Sequence, residues 1–105
     1  MQIEEAIRQA KLWKKIDTTN NVSNAILFLD WWHNIINKNN TTELCSKVYL
    51  EIGSTKFIDA IVNFQNDPIW IEYQKNKSIP NGLAVDKEVL SFLKQNNLQD
   101  SKEPN

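Results

Sequence analysis

Two glycines and three prolines in 105 residues leave this chain short of the residues that make tight turns. An all-β domain needs many such turns, so their scarcity points to helices joined by Asn-rich and Ser/Thr-rich connections. The single cysteine, Cys45, excludes an intramolecular disulfide. One histidine, His33, leaves no Cys or His cluster for zinc, and Gly53 and Gly82 alone cannot build a glycine-rich phosphate loop. No metal or cofactor is therefore expected. Long apolar runs are absent too: the longest, 25–29, is far below the roughly 20 residues that cross a bilayer.

Charge of one sign is also missing. Twelve basic and 13 acidic residues give a net charge of -1, so no global field draws the chain to nucleic acid or anionic lipid. Glu4 and Glu5 stand where the basic region of a signal peptide would lie, and with the lone cysteine this suggests a reducing cytoplasm. All the basic residues but Arg8 are Lys, which together with abundant Asn and Ile suggests an AT-rich gene of bacterial, phage or plasmid origin.

What the chain does have is apolar bulk: 41% hydrophobic residues, including four Trp, four Phe and two Tyr. That is enough to offset chain entropy in one core without a covalent staple. One helical domain over 1–98 is expected. Residues 99–105 have nothing to bury and read as a disordered tail.

Helical periodicity organises the rest. Ile3, Ala6, Ile7, Ala10 and Trp13 recur at helical spacing, predicting an amphipathic helix over 3–16. The most apolar stretch, 22–38, reads as the central helix, with apolar residues filling about half its circumference at roughly 100° steps. Leu44, Val48 and Ile52 predict a third helix that stops at Gly53. Ser54 is expected to cap a fourth, carrying Phe57, Ala60, Ile61 and Phe64. Asp67-Pro68 reads as an N-cap and N1 proline opening a short fifth helix through Tyr73, and Asp86 as the cap of a last one. The expected fold is thus all-α, a compact bundle of five to six short helices. The rival is an α+β arrangement, since 48–52 and 69–73 are β-branched or aromatic and loosely alternating.

Catalytic signals are sparse. Asp30 and His33 stand one helical turn apart, but bundle metal sites need a second such motif and further carboxylates. A histidine hydrogen-bonded to Asp30 is the expectation. Cys45 lies in no recognisable nucleophile turn and reads as a small buried apolar residue. A helix-turn-helix about Gly53 fails its pattern, with Tyr49 and Asp59 at positions that want a small and an apolar residue, and Lys56 alone to meet phosphates. Arg8, Lys11, Lys14 and Lys15 read as the solvated face of the first helix.

The remaining feature is surplus aromatic surface. Trp31, with Leu27 one turn before it, falls opposite the main apolar arc of the central helix. Packing on a second side would account for this stripe; so would an exposed anchor for a partner. Trp70 and Tyr73 are similar, with Asp59 and Glu72 nearby as a polar rim. Leu27, Trp31, Asp59, Trp70, Glu72 and Tyr73 are therefore the candidate partner-binding residues. A non-enzymatic protein-binding inhibitor is the leading expectation, such as a bacterial immunity protein or an antitoxin that neutralises a cognate toxin by stoichiometric binding. A structural or adaptor subunit is the alternative, and an enzyme using Asp30, His33 or Cys45 the third.

Overall fold

A computed structural model describes residues 2–39, 41–96 and 98. They form six helices in chain order: α1 (Ile3–Trp13), α2 (Val22–Asn39), α3 (Thr42–Ile52), α4 (Ser54–Phe64), α5 (Pro68–Asn76) and α6 (Lys87–Gln95). The fold is an all-α bundle, with no strand among the described residues. Segments 48–52 and 69–73 are helical. Val48 and Ile52 point inward one turn apart, as do Trp70 and Tyr73, and their neighbours turn outward, so a helical period satisfies burial better than alternation does. The tail 99–105 lies outside the described residues.

Helix α1 carries Glu4 and Glu5 in its first turn and Lys11 in its last, matching the helix dipole. It buries Ala6, Gln9, Ala10 and Trp13, the i, i+3, i+4, i+7 face. The helix stops three residues before Ile16, where the periodicity would end it. The amides of Lys15 and Ile16 reach back only three residues, to Leu12 and Trp13 carbonyls at 3.0 and 3.1 Å, and this tighter turn still tucks Ile16 into the core.

The connection that follows is held by Asp17, whose carboxylate accepts from the Thr19 amide and hydroxyl, both at 2.9 Å. Those bonds, the amide's first, hold the Asp17 carboxyl below its ordinary range. Asn21 Oδ1 accepts from the Asn24 amide at 3.1 Å, capping the start of α2.

Every residue from Ser23 to Trp31 is buried, so more than two turns of α2 are covered on all sides. Helix α2 touches α3, α4 and α5, while α1 lies along α3. On the α1 side, Trp13 meets Phe28 and Trp31 with ring centroids at 5.6 and 6.0 Å. Phe28 continues to Phe57 of α4 at 5.0 Å. The only polar partner the Trp31 indole needs is Gln9 Oε1, which accepts its N–H at 2.8 Å in the buried seam.

Thr41 caps α3 by accepting from the Leu44 amide, and Leu44, Val48 and Ile52 form the buried stripe. Gly53 then adopts φ 96° and ψ 136°, ending α3 and starting α4 with no loop between. Ser54 is consequently the first residue of α4 and not its cap; Gly53 takes that position and has no side chain to offer. Asp67 and Pro68 open α5 as their order implies, with Asp67 Oδ1 accepting from the Ile69 amide at 2.9 Å. The helix runs a turn beyond Tyr73 and closes at Lys77 in the left-handed conformation. Asp86 stands at the N-cap of α6, although its side chain makes no capping bond. Leu93 and Leu98 are both buried, and Arg8 of α1 donates to the Asn96 carbonyl at 3.1 Å.

Two substitutions probe this frame by different routes. Phe28→Ala removes a fully buried ring from the aromatic cluster and is expected to cost about 3–5 kcal/mol in urea unfolding. Gly53→Ala adds a methyl group into open space, yet forces a side chain onto a backbone angle it resists; a loss of about 1–3 kcal/mol is expected from strain alone.

Candidate functional site

The six residues singled out from sequence go to four different places. Leu27 and Trp31 are buried, with Trp31 6% exposed and stacked in the aromatic cluster beneath α1. The second stripe of α2 is packing, which corrects the reading of Trp31 as an exposed anchor: a central helix wrapped on both sides has no outer face there. Trp70 and Tyr73 are also buried, their rings 5.7 Å apart, on the opposite side of α2. Asp59 is half-buried on α4, and Glu72 is exposed on α5.

In place of tryptophan anchors, the large hydrophobic residues left exposed are mainly aliphatic. Among the described residues, the exposed large hydrophobic ones are Tyr49, Leu50, Ile58, Ile61, Val62, Ile69 and Ile71. All fall within one 23-residue stretch from the end of α3 to the middle of α5. Ile58, Ile61 and Val62 share the outer side of α4 at i, i+3, i+4 spacing, and Leu50 is 77% exposed. The signal was present in sequence: α4 has apolar residues on both Phe57/Ala60 and Ile58/Val62 stripes, more than one buried face can use.

The charges of this region are one-sided. Between Val48 and Gln74 the chain carries Glu51, Asp59, Asp67 and Glu72 against a single Lys56. Lys56 turns inward: its ammonium donates to the Ile16 carbonyl at 2.8 Å and lies 5.7 Å from the centre of the Phe28 ring. Burial accordingly lowers its pKa. Glu51 meets Lys14 of α1 at 3.5 Å, and Asp67 is engaged as a cap, so Asp59 and Glu72 are the carboxylates set among the exposed aliphatic residues.

Arg8 forks onto Glu5, a pairing that holds the Glu5 carboxyl down at about 2, chiefly through the hydrogen bond from Arg8.

A cleft of about 440 Å³ opens between α2 and α5. Leu29, Ile61 and Trp70 give it apolar walls, and Asp30, His33, Asn34, Asn37, Tyr73, Gln74 and Lys77 bring polar groups to it. The sequence expectation of a His33–Asp30 bond is replaced by another pairing: His33 Nδ1 lies 3.0 Å from the Tyr73 hydroxyl, their rings nearly parallel. Asp30 accepts from the Asn34 amide group at 3.3 Å and acts on His33 through its charge.

Burial lowers the His33 pKa most, with Lys77 adding to the effect and Asp30 opposing it. Burial, then the Asp30 charge, raises that of Tyr73. At neutral pH both rings are uncharged. The bond between them runs either way: Tyr73 donates to Nδ1 when the imidazole hydrogen is on Nε2, and accepts from Nδ1 when it is not.

Cys45 is half-buried in α3. Among the described residues, no group of three or more His, Cys, Asp or Glu side chains could hold a metal ion, and no helix is long and apolar enough to cross a membrane.

The lowered His33 pKa has a direct consequence for stability. Below about pH 6.5 the unfolded chain takes up a proton at His33 before the folded one does, so stability falls as pH drops from there toward the folded-state value. Urea midpoints measured from pH 7.5 to 5 should decline with a smaller slope in His33→Gln, and an NMR titration of the folded ring should give a midpoint below 6.5.

No protein-family model matches this sequence, and no curated protein or solved structure is significantly similar to it.

Proposed function

We propose that this chain acts by binding another protein through the α3–α5 face. The observation that carries the reading is the confinement of the exposed large aliphatic residues to one stretch of chain, with Asp59 and Glu72 among them. Contiguous exposed apolar surface is costly to keep in water and is a mark of interaction sites. Aliphatic side chains at the centre supply area, and carboxylates at the margin select a partner with Lys and Arg around an apolar groove.

The biological role proposed is stoichiometric inhibition, as by a bacterial immunity protein or an antitoxin covering a cognate toxin. A basic target surface is what such an acid-margined face would complement; for a nuclease target, Asp59 and Glu72 would stand where phosphates bind. The chain's near-neutral total charge is compatible with this, because between Val48 and Gln74 four acids stand against Lys56 alone, while Lys11, Lys14 and Lys15 lie on α1 and just after it. A permanent adaptor would use the same face, but it would self-associate or aggregate when purified alone.

The test is capture from the encoding organism with the native chain and with Ile58→Asp,Val62→Asp. Both substituted side chains are about half exposed, so stability should change by no more than about 0.5 kcal/mol per site. The expected result is one partner at one-to-one stoichiometry, with a basic surface, lost in the variant and weakened by salt. That partner's activity should be abolished by an equimolar amount of the native chain and restored when the variant replaces it. A partner that binds the variant equally well would overturn the assignment of the face, and one whose activity is untouched would overturn inhibition.

A further inference from the structure

The α2–α5 cleft has a different character from the α3–α5 face. Its walls bring together one carboxylate, Asp30, one ammonium, Lys77, and the paired neutral side chains of His33 and Tyr73, above apolar Leu29 and Ile61. Its volume, about 440 Å³, lies in the range of small-molecule sites. The opposed charges make an anion or a cation alone a poor match, because either meets one attractive and one repulsive group. A molecule carrying both charges close together satisfies both.

We propose that the cleft binds a free α-amino acid with an apolar side chain. Its ammonium group is taken by the Asp30 carboxylate, and its carboxylate by the Lys77 ammonium and the N–H at His33 Nε2. The side chain lies on Leu29 and Ile61. Tyr73 is a positioning residue: its hydroxyl lies 3.0 Å from Nδ1 and its ring nearly parallel to the imidazole, and in the bound state it donates to Nδ1 so that the imidazole offers Nε2–H to the ligand. Lys77 is well placed to be the adjustable partner, since it is exposed and sits just past the last turn of α5. The site shares Ile61 with the α3–α5 face, but its test needs no protein partner.

The experiment uses the intact chain alone. L-leucine and L-phenylalanine are titrated by calorimetry and by NMR of backbone amides and the His33 ring. Saturable one-to-one binding is expected, with shifts at residues 30–37 and 73–77. The D-enantiomers, the methyl esters and the N-acetyl derivatives should each bind at least about tenfold more weakly, since each misplaces or removes one recognised group. Lys77→Met, at an exposed position, should weaken the parent amino acids about tenfold while leaving the already neutralised methyl esters unaffected. Absence of saturable binding at millimolar concentration, or equal binding of the esters and acetyl derivatives, would overturn the proposal.

Discussion

The structure depends on the complete burial of α2 between Ser23 and Trp31. A helix covered on all sides has to present side chains that suit every neighbour, and this one does so with Phe28 and Trp31 toward α1 and Leu29 toward the cleft near α5. Covering it is costly for polar groups: Asn24 Oδ1 is left buried with no hydrogen-bond partner, and the Trp31 indole N–H would lose a hydrogen bond to water. Gln9 removes the second cost at 2.8 Å, and this explains an otherwise odd glutamine on the inner face of α1. Because α2 absorbs the aromatic bulk, the shorter helices can be marginal on their own and still be ordered by docking against it.

Much of this was legible in the sequence because helix starts and stops are local chemistry. Asp67-Pro68, Thr41 and Gly53 each mark a boundary through a hydrogen bond or a backbone angle that needs no knowledge of distant residues. The errors arise where a distant partner decides. Trp31 falls off the main apolar arc by angular position, and only the presence of α1 across it turns that position into core. His33 has an acidic neighbour one turn away in sequence, yet its ring nitrogen pairs with Tyr73, 40 residues on, because the register of α5 against α2 is not written in either helix alone. Ser54 is a favourable cap by residue type, but α3 and α4 abut so closely that Gly53 is left at the cap position.

The same logic explains why residue type alone points to the wrong surface. Trp is rewarding at interfaces because it buries a large area with few torsions to fix, but that makes it equally rewarding in a core, and in a domain of this size the core has first claim on the largest side chains. Trp13, Trp31 and Trp70 all end below 10% exposure. What remains outside is the surplus of smaller aliphatic residues on α4, where Phe57 and Ala60 satisfy the inward face, Ile61 edges the cleft, and Ile58 and Val62 are left without an intramolecular use.

That surplus is hard to attribute to folding. An exposed Ile on a helix adds neither core area nor helix propensity, since β-branched residues lose side-chain freedom there, and Lys or Glu at the same positions would serve an isolated bundle better. The region also avoids lysine where it would be most useful for solubility: the one lysine of the stretch is spent on the Ile16 carbonyl and the Phe28 ring. Exposed apolar residues gathered between the end of α3 and the middle of α5, with carboxylates and no outward ammonium among them between Val48 and Gln74, form a pattern that a basic, grooved partner rationalises and that internal packing does not.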